Sequence, residues 1–205
     1  CSILDEMPKH QKPAKTRVIQ PVKLEKVYQY MKSEMDEGKQ CMIVYPLVEE
    51  TEKSDLKAAE EAFTELSVGD FSDFSVGLLH GRMKKDEKND IMIKFSKNEI
   101  NLLISTTVIE VGIDVPNATV MVVEHADRFG LTQLHQLRGR VGRGTEKSVC
   151  VLVQRKFTEL GLKRLQIMEE TNDGFKIADE DLLMRGPGAF FSSKQSGFLK
   201  YRIAD

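Results

Sequence analysis

The segment from Thr119 to Val153 decides the fold, because it has the pattern of a strand, a helix and a second strand. Thr119-Val-Met-Val-Val-Glu124 is a short apolar run, residues 131–138 have helical spacing, and Ser148-Val-Cys-Val-Leu-Val153 is another apolar run. Apolar strands that alternate with helices are typical of a mostly parallel sheet with helices on both faces. In such sheets ligands gather beyond the carboxyl ends of the strands.

The same alternation extends upstream of Thr119. Apolar residues recur at helical spacing in three segments and form short strand-like runs in three others. The apolar stripes of the predicted helices lie between Leu24 and Met35, between Ala58 and Leu66 and between Ile91 and Phe95. The predicted strands are Cys41-Met-Ile-Val-Tyr45, Val76-Gly-Leu-Leu79 and Leu102-Leu-Ile104. The predicted fold class is therefore α/β.

The main body of the chain is expected to cover residues 21–155. Residues 1–20 contain Pro8 and Pro13 and lead into Pro21, which favours an extended lead-in over a helix. The chain does not begin with Met, and we expect it to be a piece of a longer polypeptide.

Residues 156–205 form a tail with a different pattern. Two short helical segments flank the turn signal Asn172-Asp-Gly174, and a loop follows at Arg185-Gly-Pro-Gly188. Two helices are too few to build a core of their own, so the tail is expected to dock against the main body.

Composition describes an ordinary soluble globular protein. The chain has 205 residues, of which 40% are hydrophobic and 30% are charged. No apolar run approaches the roughly 20 residues that span a bilayer, so no membrane role is expected. The net charge of −2 argues against wholesale wrapping of nucleic acid but permits a local positive stripe.

Cysteines and histidines give no sign of a metal or redox site. Cys1, Cys41 and Cys150 are widely spaced without a CxxC motif, which indicates small buried side chains in a reducing compartment. The histidines at positions 10, 80, 125 and 135 lack the spacing of metal ligands, and no metal is predicted.

The segment Gln136-Leu-Arg-Gly-Arg-Val-Gly-Arg143 sets three arginines among glycines, directly after the helical run. Planar, permanently charged guanidinium groups suit phosphate oxygens, and glycines let the backbone approach a ligand closely. A solvated basic turn is the alternative. The glycine spacing from Gly139 to Gly144 imitates a P-loop, but Thr145-Glu146 follows where Lys-Ser/Thr is needed, so no nucleotide cradle is predicted.

Three blocks together resemble the second motor domain of superfamily 2 helicases. They are His80-Gly-Arg-Met83, Ser105-Thr-Thr-Val-Ile-Glu-Val-Gly-Ile-Asp-Val-Pro116 and Gln133-Leu-His-Gln-Leu-Arg-Gly-Arg-Val-Gly-Arg143. The resemblance implies a RecA-like fold whose ATP and Mg²⁺ are held mainly by a domain upstream of this chain.

The resemblance assigns Arg140 and Arg143 as arginine fingers that reach the γ-phosphate, with Gln136 as a polar contact in the same cleft. Arg138 is open between a functional role and a structural ion pair. Asp114 matches the position that faces the ribose.

Gly112 permits a close approach to the nucleotide beside Asp114, and a carboxylate accepts two hydroxyl hydrogen bonds. An ordinary turn aspartate before Pro116 is the alternative.

The resemblance also implies contacts with the DNA backbone. Hydroxyls and main-chain N–H groups contact phosphates without reading sequence. The residues expected in this role are Ser105, Thr106 and Thr107, together with His80, Gly81 and Arg82.

The tail narrows the resemblance to the RecG family of DNA helicases, in which a helical hairpin and loop couple ATP turnover to movement on duplex DNA. Arg164, Arg185 and Gln195 are the expected coupling residues. A docking ion pair of Arg185 with an acidic residue at 179–181 is the alternative. Around Ala189-Phe-Phe-Ser-Ser the sequence departs from the family pattern, so the DNA contact of this loop is left open.

Transcription-repair coupling factors share this tail, but they have a different residue at His135 and a glycine-serine-glycine run at Asn172-Asp-Gly174. The resemblance therefore implies the C-terminal half of an ATP-driven translocase on branched double-stranded DNA, in the bacterial cytoplasm. Its partners would be the upstream motor and DNA-binding domains of the same polypeptide, without which it should be inactive. A non-catalytic docking module and a dinucleotide enzyme are the alternatives, although no Gly-x-Gly-x-x-Gly follows a predicted strand.

Overall fold

The structure is a computed structural model that describes residues 13–47, 52–106, 117–141 and 147–185. Within these ranges the strands are β1 (Lys15–Ile19), β2 (Gln40–Tyr45), β3 (Val76–Leu79), β4 (Leu102–Thr106), β5 (Ala118–Val123) and β6 (Val149–Val153). The helices are α1 (Leu24–Asp36), α2 (Glu52–Val68), α3 (Lys85–Ser96), α4 (Leu131–Arg138), α5 (Glu159–Glu170) and α6 (Gly174–Arg185), with single 3-10 turns at Pro21–Lys23 and Ala126–Arg128.

The strands form one six-stranded sheet in the order β1-β6-β5-β2-β4-β3, and each neighbouring pair is parallel. Every residue of β4 and β5 is buried, which is why these strands are almost continuously apolar. The α/β class predicted from the alternating pattern is confirmed.

Helices cover both faces of the sheet. The first face carries α1 and α2, whose Met31 and Leu66 pack with Ile43 of β2. The second face carries α3 to α6, and Leu134 of α4 packs there with Leu103 of β4. Because side chains alternate along a strand, neighbouring residues of one strand enter opposite clusters.

The end of α1 lies where the sequence predicts it. Gly38 has φ +81°, in the left-handed region that favours glycine, and its N–H bonds to the carbonyl oxygen of Met35. The side-chain amides of Asn98 and Asn117 both donate to the Gly38 carbonyl oxygen, so the turn is held at the amino end of the sheet.

The expectation of a lead-in over residues 1–20 differs from the structure, because Lys15–Ile19 is strand β1 of the sheet. It pairs in parallel with β6, and Thr16 lies opposite Cys150. Charged residues in this strand hid its role, since an edge strand has a solvent-exposed side that tolerates Lys15 and Arg17.

The described part of the tail docks against the main body, as predicted, and it does so on the second face. Leu165 and Met168 of α5 and Ile177 of α6 are buried in the same cluster as α4. Gly174 begins α6 instead of lying in a turn, and Asp173 caps the helix by accepting the N–H of Phe175 at 2.9 Å.

Cys41 and Cys150 are free and buried, as expected, while Cys1 lies outside the described residues. Burial raises the pKa of Cys150 to about 12, so its thiol is unreactive at neutral pH. In the described part of the chain, no helix combines the length and apolar character needed to cross a membrane.

Candidate functional site

Two segments that are predicted to contact DNA meet at one corner of the sheet. Leu79, the last residue of β3, is in register with Ser105 of β4, so His80 follows beside Thr106. We call His80, Ser105 and Thr106 the carboxyl corner. Parallel α/β sheets usually bind their ligands at this edge.

The carboxyl corner holds three buried polar atoms that have no hydrogen-bond partner among the described residues. They are the hydroxyl oxygens of Ser105 and Thr106 and Nδ1 of His80. Buried groups of this kind cost free energy, and in native proteins they often mark a place for water or a ligand. Ser105 and Thr106 are only 0% and 1% exposed, which differs from the open hydroxyls expected of a direct DNA contact. Thr107 lies outside the described residues.

The loop after β3 is held by α3 and approached by α2. Lys88 of α3 donates from Nζ to the carbonyl oxygen of Gly81 at 2.6 Å. Oε1 of Glu60 in α2 lies 3.9 Å from Nε2 of His80. Arg82 is exposed. The loop that carries three of the predicted DNA-contacting residues is therefore fixed next to the carboxyl corner.

Residues 124–130, which we call the arm, lead from the end of β5 to the start of α4. Arg155 donates from Nε and Nη2 to both carboxylate oxygens of Glu124, at 3.0 and 3.1 Å, and its backbone N–H donates to Oδ1 of Asp127 at 2.8 Å. The bonds to Glu124 raise the pKa of Arg155. Glu124 is buried, so a bidentate charged pair anchors the arm to the end of β6.

The arm is also tied to the other face of the sheet. Arg128 donates from Nη1 and Nη2 to the two carboxylate oxygens of Asp55 in α2, at 2.7 and 3.0 Å. The side chain of Asp55 is 8% exposed and that of Arg128 is 25% exposed. Hydrogen bonding to Asp55 raises the pKa of Arg128. Because α2 and α4 lie on opposite faces, this pair reaches around the carboxyl edge of the sheet.

Arg138, at the end of α4, is turned into the protein and is only 5% exposed. Its Nη1 donates to the carbonyl oxygens of Met168 and Thr171, at 3.1 and 2.8 Å, and to the Thr16 hydroxyl at 3.4 Å, while Nη2 bonds to Nδ1 of His135 at 3.0 Å. Burial lowers the pKa of Arg138. Its partners end α5, where a positive charge is favourable.

Of the two possibilities left open for Arg138, the structure favours the structural one, although not as an ion pair. The guanidinium satisfies the last carbonyls of α5 instead of a carboxylate. We call Arg138, His135 and the residues that they contact in the tail, Met168, Thr171 and Gly174, the tail junction. His135 also packs against Gly174, where an added Cβ would lie 3.0 Å from Nε2.

Arg140 differs from Arg138 although only one glycine separates them. Its side chain is half-buried, and within the described ranges the guanidinium has no hydrogen-bond or ion-pair partner. Its backbone N–H bonds to the carbonyl oxygen of Leu137 at 2.9 Å. Arg140 thus offers an unused charge near the protein surface, while Arg143 lies outside the described residues.

The end of α4 that carries Arg138 lies away from the carboxyl corner. α4 leaves the carboxyl edge of the sheet at the arm, and its far end lies near Thr16, in the first half of β1. The physical reason is the length of α4, which carries Arg138 away from the arm. Gln136 is exposed there and lines a groove of about 610 Å³ between α4 and α6, together with Thr132 and Asp181.

The predicted coupling residues lie partly outside the described ranges. Arg164 is on α5, and its Nε is buried without a partner in the described part of the chain. Arg185 ends α6, but its side chain is not described. Gln195 lies outside the described residues. Of the acidic candidates for an ion pair with Arg185, Asp181 accepts a hydrogen bond from the Thr132 hydroxyl at 3.0 Å.

Gly112 and Asp114, the residues predicted to face the nucleotide sugar, also lie outside the described residues. Asp55 and Arg128, by contrast, form a bidentate pair but belong to no sequence motif. They are separated by 73 positions in the sequence, and neither belongs to a recognisable pattern. A buried aspartate in the first turn of a helix and an arginine just before another become a pair only once the fold is known.

Comparison with known proteins identifies the family. The model of the helicase conserved C-terminal domain matches residues 22–145. Over 204 residues the chain is 50% identical to the ATP-dependent DNA helicase RecG of Streptococcus pneumoniae serotype 4, and the match covers 100% of the chain and 30% of that relative. The chain spans between 24% and 30% of the length of the RecG relatives that it matches.

Solved structures agree with this assignment. A structure of RecG bound to a three-way DNA junction matches with TM-score 0.76 and 45% identity, covering 91% of this chain and 24% of that chain. Domain 2 of the DEAD-box helicase Mss116p bound to an RNA duplex matches with TM-score 0.60 and 18% identity, covering 82% of this chain and 68% of that one. At that identity the second match shows the fold alone.

Proposed function

The chain belongs to the helicase conserved C-terminal domain family, and from this premise we propose that it is the second motor domain and coupling tail of a RecG-type helicase. The whole protein would be an ATP-driven translocase on branched double-stranded DNA, such as forks and junctions. It would work with upstream motor and DNA-binding domains of the same polypeptide, in the bacterial cytoplasm.

The observation that carries this proposal is the contrast between Arg138 and Arg140. Arg138 is buried and fully engaged, whereas Arg140 is half-buried without a partner in the described part of the chain. An arginine without a partner in the described part of the chain keeps its donors available for a ligand. An exposed part of its side chain and the neighbouring Gly139 support a role for Arg140 towards phosphate.

Arg140 and Arg143 would meet the γ-phosphate of ATP bound by the upstream domain, with Gln136 in the same cleft. Gly112 and Asp114 would face the ribose. ATP with Mg²⁺ supplies the phosphoryl-transfer energy that drives movement, and this chain supplies positive charge where negative charge develops.

The DNA backbone would be contacted beside the carboxyl corner, by Ser105, Thr106 and Thr107 and by the loop of His80, Gly81 and Arg82. The unpartnered hydroxyls of Ser105 and Thr106 support this role, because a bound phosphate or an ordered water would satisfy them. Their burial implies that access depends on rearrangement at the end of β4.

The tail would transmit domain closure to the DNA. Arg138 and His135 connect α4 to both helices of the hairpin, so movement of the arginine helix is passed directly to α5 and α6. Arg164, Arg185 and Gln195 are the residues of the tail that we expect to act in this coupling.

The test is ATP hydrolysis by the full-length protein that contains this chain and its P-loop domain. We expect turnover to be stimulated by a three-way DNA junction more than by linear duplex DNA. Arg143→Ala should remove most of this turnover while DNA binding stays nearly intact, because the finger acts on the nucleotide. A full-length protein that hydrolyses no ATP with branched DNA present would refute the motor function.

A further inference from the structure

The Asp55–Arg128 pair is built like a functional contact between two layers of the protein. Its two hydrogen bonds are 2.7 and 3.0 Å long, and the Asp55 carboxylate is almost fully buried. Exposed ion pairs contribute little to stability, whereas a largely buried bidentate pair adds geometric specificity and holds both elements in place. The two elements here are α2, on the first face, and the arm, which begins α4 on the second face.

α2 also reaches the loop that is predicted to contact DNA. Glu60, five residues after Asp55 on the same helix, places Oε1 3.9 Å from Nε2 of His80. The same helix therefore contacts the carboxyl corner and the arm, which carry different predicted functions. A shift of α2 that follows a change at His80 would be felt at Arg128.

The arm is stiff enough to pass such a shift on to α4. Arg155 holds it at Glu124 and Asp127 through three hydrogen bonds. Gly161 of α5 packs against the same turn, since a Cβ there would lie 3.4 Å from the Cβ of Asp127. With so little freedom, displacement at Arg128 moves the whole arm and the helix that follows it.

We propose that Asp55 and Arg128 are positioning residues that couple the DNA-facing corner to the arginine helix, so that bound DNA raises ATP turnover through α2. This inference rests on the proposed motor function and adds a route for its stimulation by DNA. Neither residue belongs to the segments that are assigned to nucleotide or DNA. The pair acts through His80 at one end and through Arg140 at the other.

The experiment measures ATP turnover of the full-length protein with and without a saturating three-way DNA junction. Asp55→Asn removes the negative charge of the pair, and Arg128→Lys keeps the positive charge but removes the planar guanidinium. Each should lower DNA-stimulated kcat by about tenfold or more, within the roughly 100-fold that a misplacement of about 1 Å can cost. The DNA-free kcat, the KM for ATP and the affinity for the junction should stay within about twofold of wild type.

Two further variants sharpen the result. The double variant Asp55→Asn with Arg128→Lys should lose less stimulation than the two single losses combined, because both substitutions disrupt the same contact. Glu61→Gln is the matched control, since it breaks an exposed pair with Lys57 on the same helix, 3.2 Å long, and should leave stimulation unchanged.

Unchanged stimulation in both single variants, with only a lower melting temperature, would overturn the coupling role and leave a structural one. Equal loss of DNA-free and DNA-stimulated turnover would overturn it as well. Should Asp55→Asn not fold, Arg128→Lys decides alone. If the wild-type protein shows no DNA-stimulated hydrolysis, the proposed function fails; if only the pair variants behave like wild type, this inference alone fails.

Discussion

The tail junction and the carboxyl corner differ in whether their buried polar groups have hydrogen-bond partners. At the tail junction, the guanidinium of Arg138 has four acceptors. At the carboxyl corner, the hydroxyls of Ser105 and Thr106 are just as deeply buried but have no partner among the described residues. One region is complete as it stands, and the other has hydrogen-bonding capacity that a ligand can use.

The same contrast separates two arginines of one motif. Arg138 contributes to the fold, while Arg140 keeps its charge accessible. A basic motif in the sequence therefore does not have one function, because the position of each guanidinium on the helix decides whether it meets carbonyl oxygens or solvent.

The largest effect should come from the accessible arginine. In the full-length protein, we expect Arg140→Ala to lower DNA-stimulated kcat by on the order of 1,000-fold, as loss of an arginine finger does in other nucleoside triphosphatases. Steady-state hydrolysis with a DNA junction measures this. The melting temperature should not change, because Arg140 has no partner to lose within the described residues. A large drop in melting temperature with normal kcat would reverse the assignment.

Arg138→Ala should have the opposite profile. Removing the guanidinium takes this donor from the buried carbonyl oxygen of Met168 and from the part-buried one of Thr171, which should reduce the unfolding free energy by about 3 kcal/mol. Urea unfolding of the 205-residue chain measures the loss. Arg17→Ala is the control, because its contact with Glu169 is exposed and 3.6 Å long, so a change below about 0.5 kcal/mol is expected. Equal losses in the two variants would contradict the special role of Arg138.

Thr106→Val tests the carboxyl corner. Valine keeps the shape of threonine and removes a hydroxyl that has no partner in the described structure, so the stability of the chain should stay the same or rise by about 1 kcal/mol. Affinity for a DNA junction should fall by about tenfold if the hydroxyl contacts a phosphate, the equivalent of about 1.4 kcal/mol. Fluorescence anisotropy with labelled DNA gives the affinity. Unchanged binding would remove Thr106 from the interface.

The smallest effect concerns pH and the tail junction. Burial and the neighbouring charge of Arg138 lower the pKa of His135, because a second proton on Nδ1 would face a guanidinium N–H. A histidine whose folded pKa lies below its unfolded value favours folding above the unfolded pKa, so its contribution is lost as pH falls below about 6.5. We therefore expect wild type to lose more unfolding free energy than His135→Gln between pH 8 and pH 5.5, in urea titrations. A larger loss of unfolding free energy in His135→Gln than in wild type would contradict a lowered pKa of His135.

Most of the secondary structure follows from sequence because periodicity reports burial directly. The predicted run Val76–Leu79 is β3, and residues 131–138 are α4. β1 was not predicted because it is only partly buried and so lacks an apolar pattern. It is an edge strand whose alternating charged residues and nearby prolines resemble a linker.

The candidate site follows less completely from the sequence. Motifs give residue types but not the direction in which each side chain points. The family pattern assigns Arg140 but leaves Arg138 open, and the contacts of Arg138 with Met168 and Thr171 show that it is structural. The pairing of Asp55 with Arg128 could not be predicted from the sequence. The two residues are 73 positions apart, and no local sequence pattern relates the start of α2 to the arm.

The pairing of β1 with β6 has a consequence for how the protein is made on the ribosome. Among the described strands of this sheet β1 is synthesised before the others, and its neighbour β6 is synthesised after them. At bacterial elongation rates the growing chain would hold β1 unpaired for on the order of ten seconds, with its backbone donors and acceptors available to other chains. The charged Lys15 and Arg17 discourage association during that interval, so residues that obscure the strand in the sequence also protect it during translation.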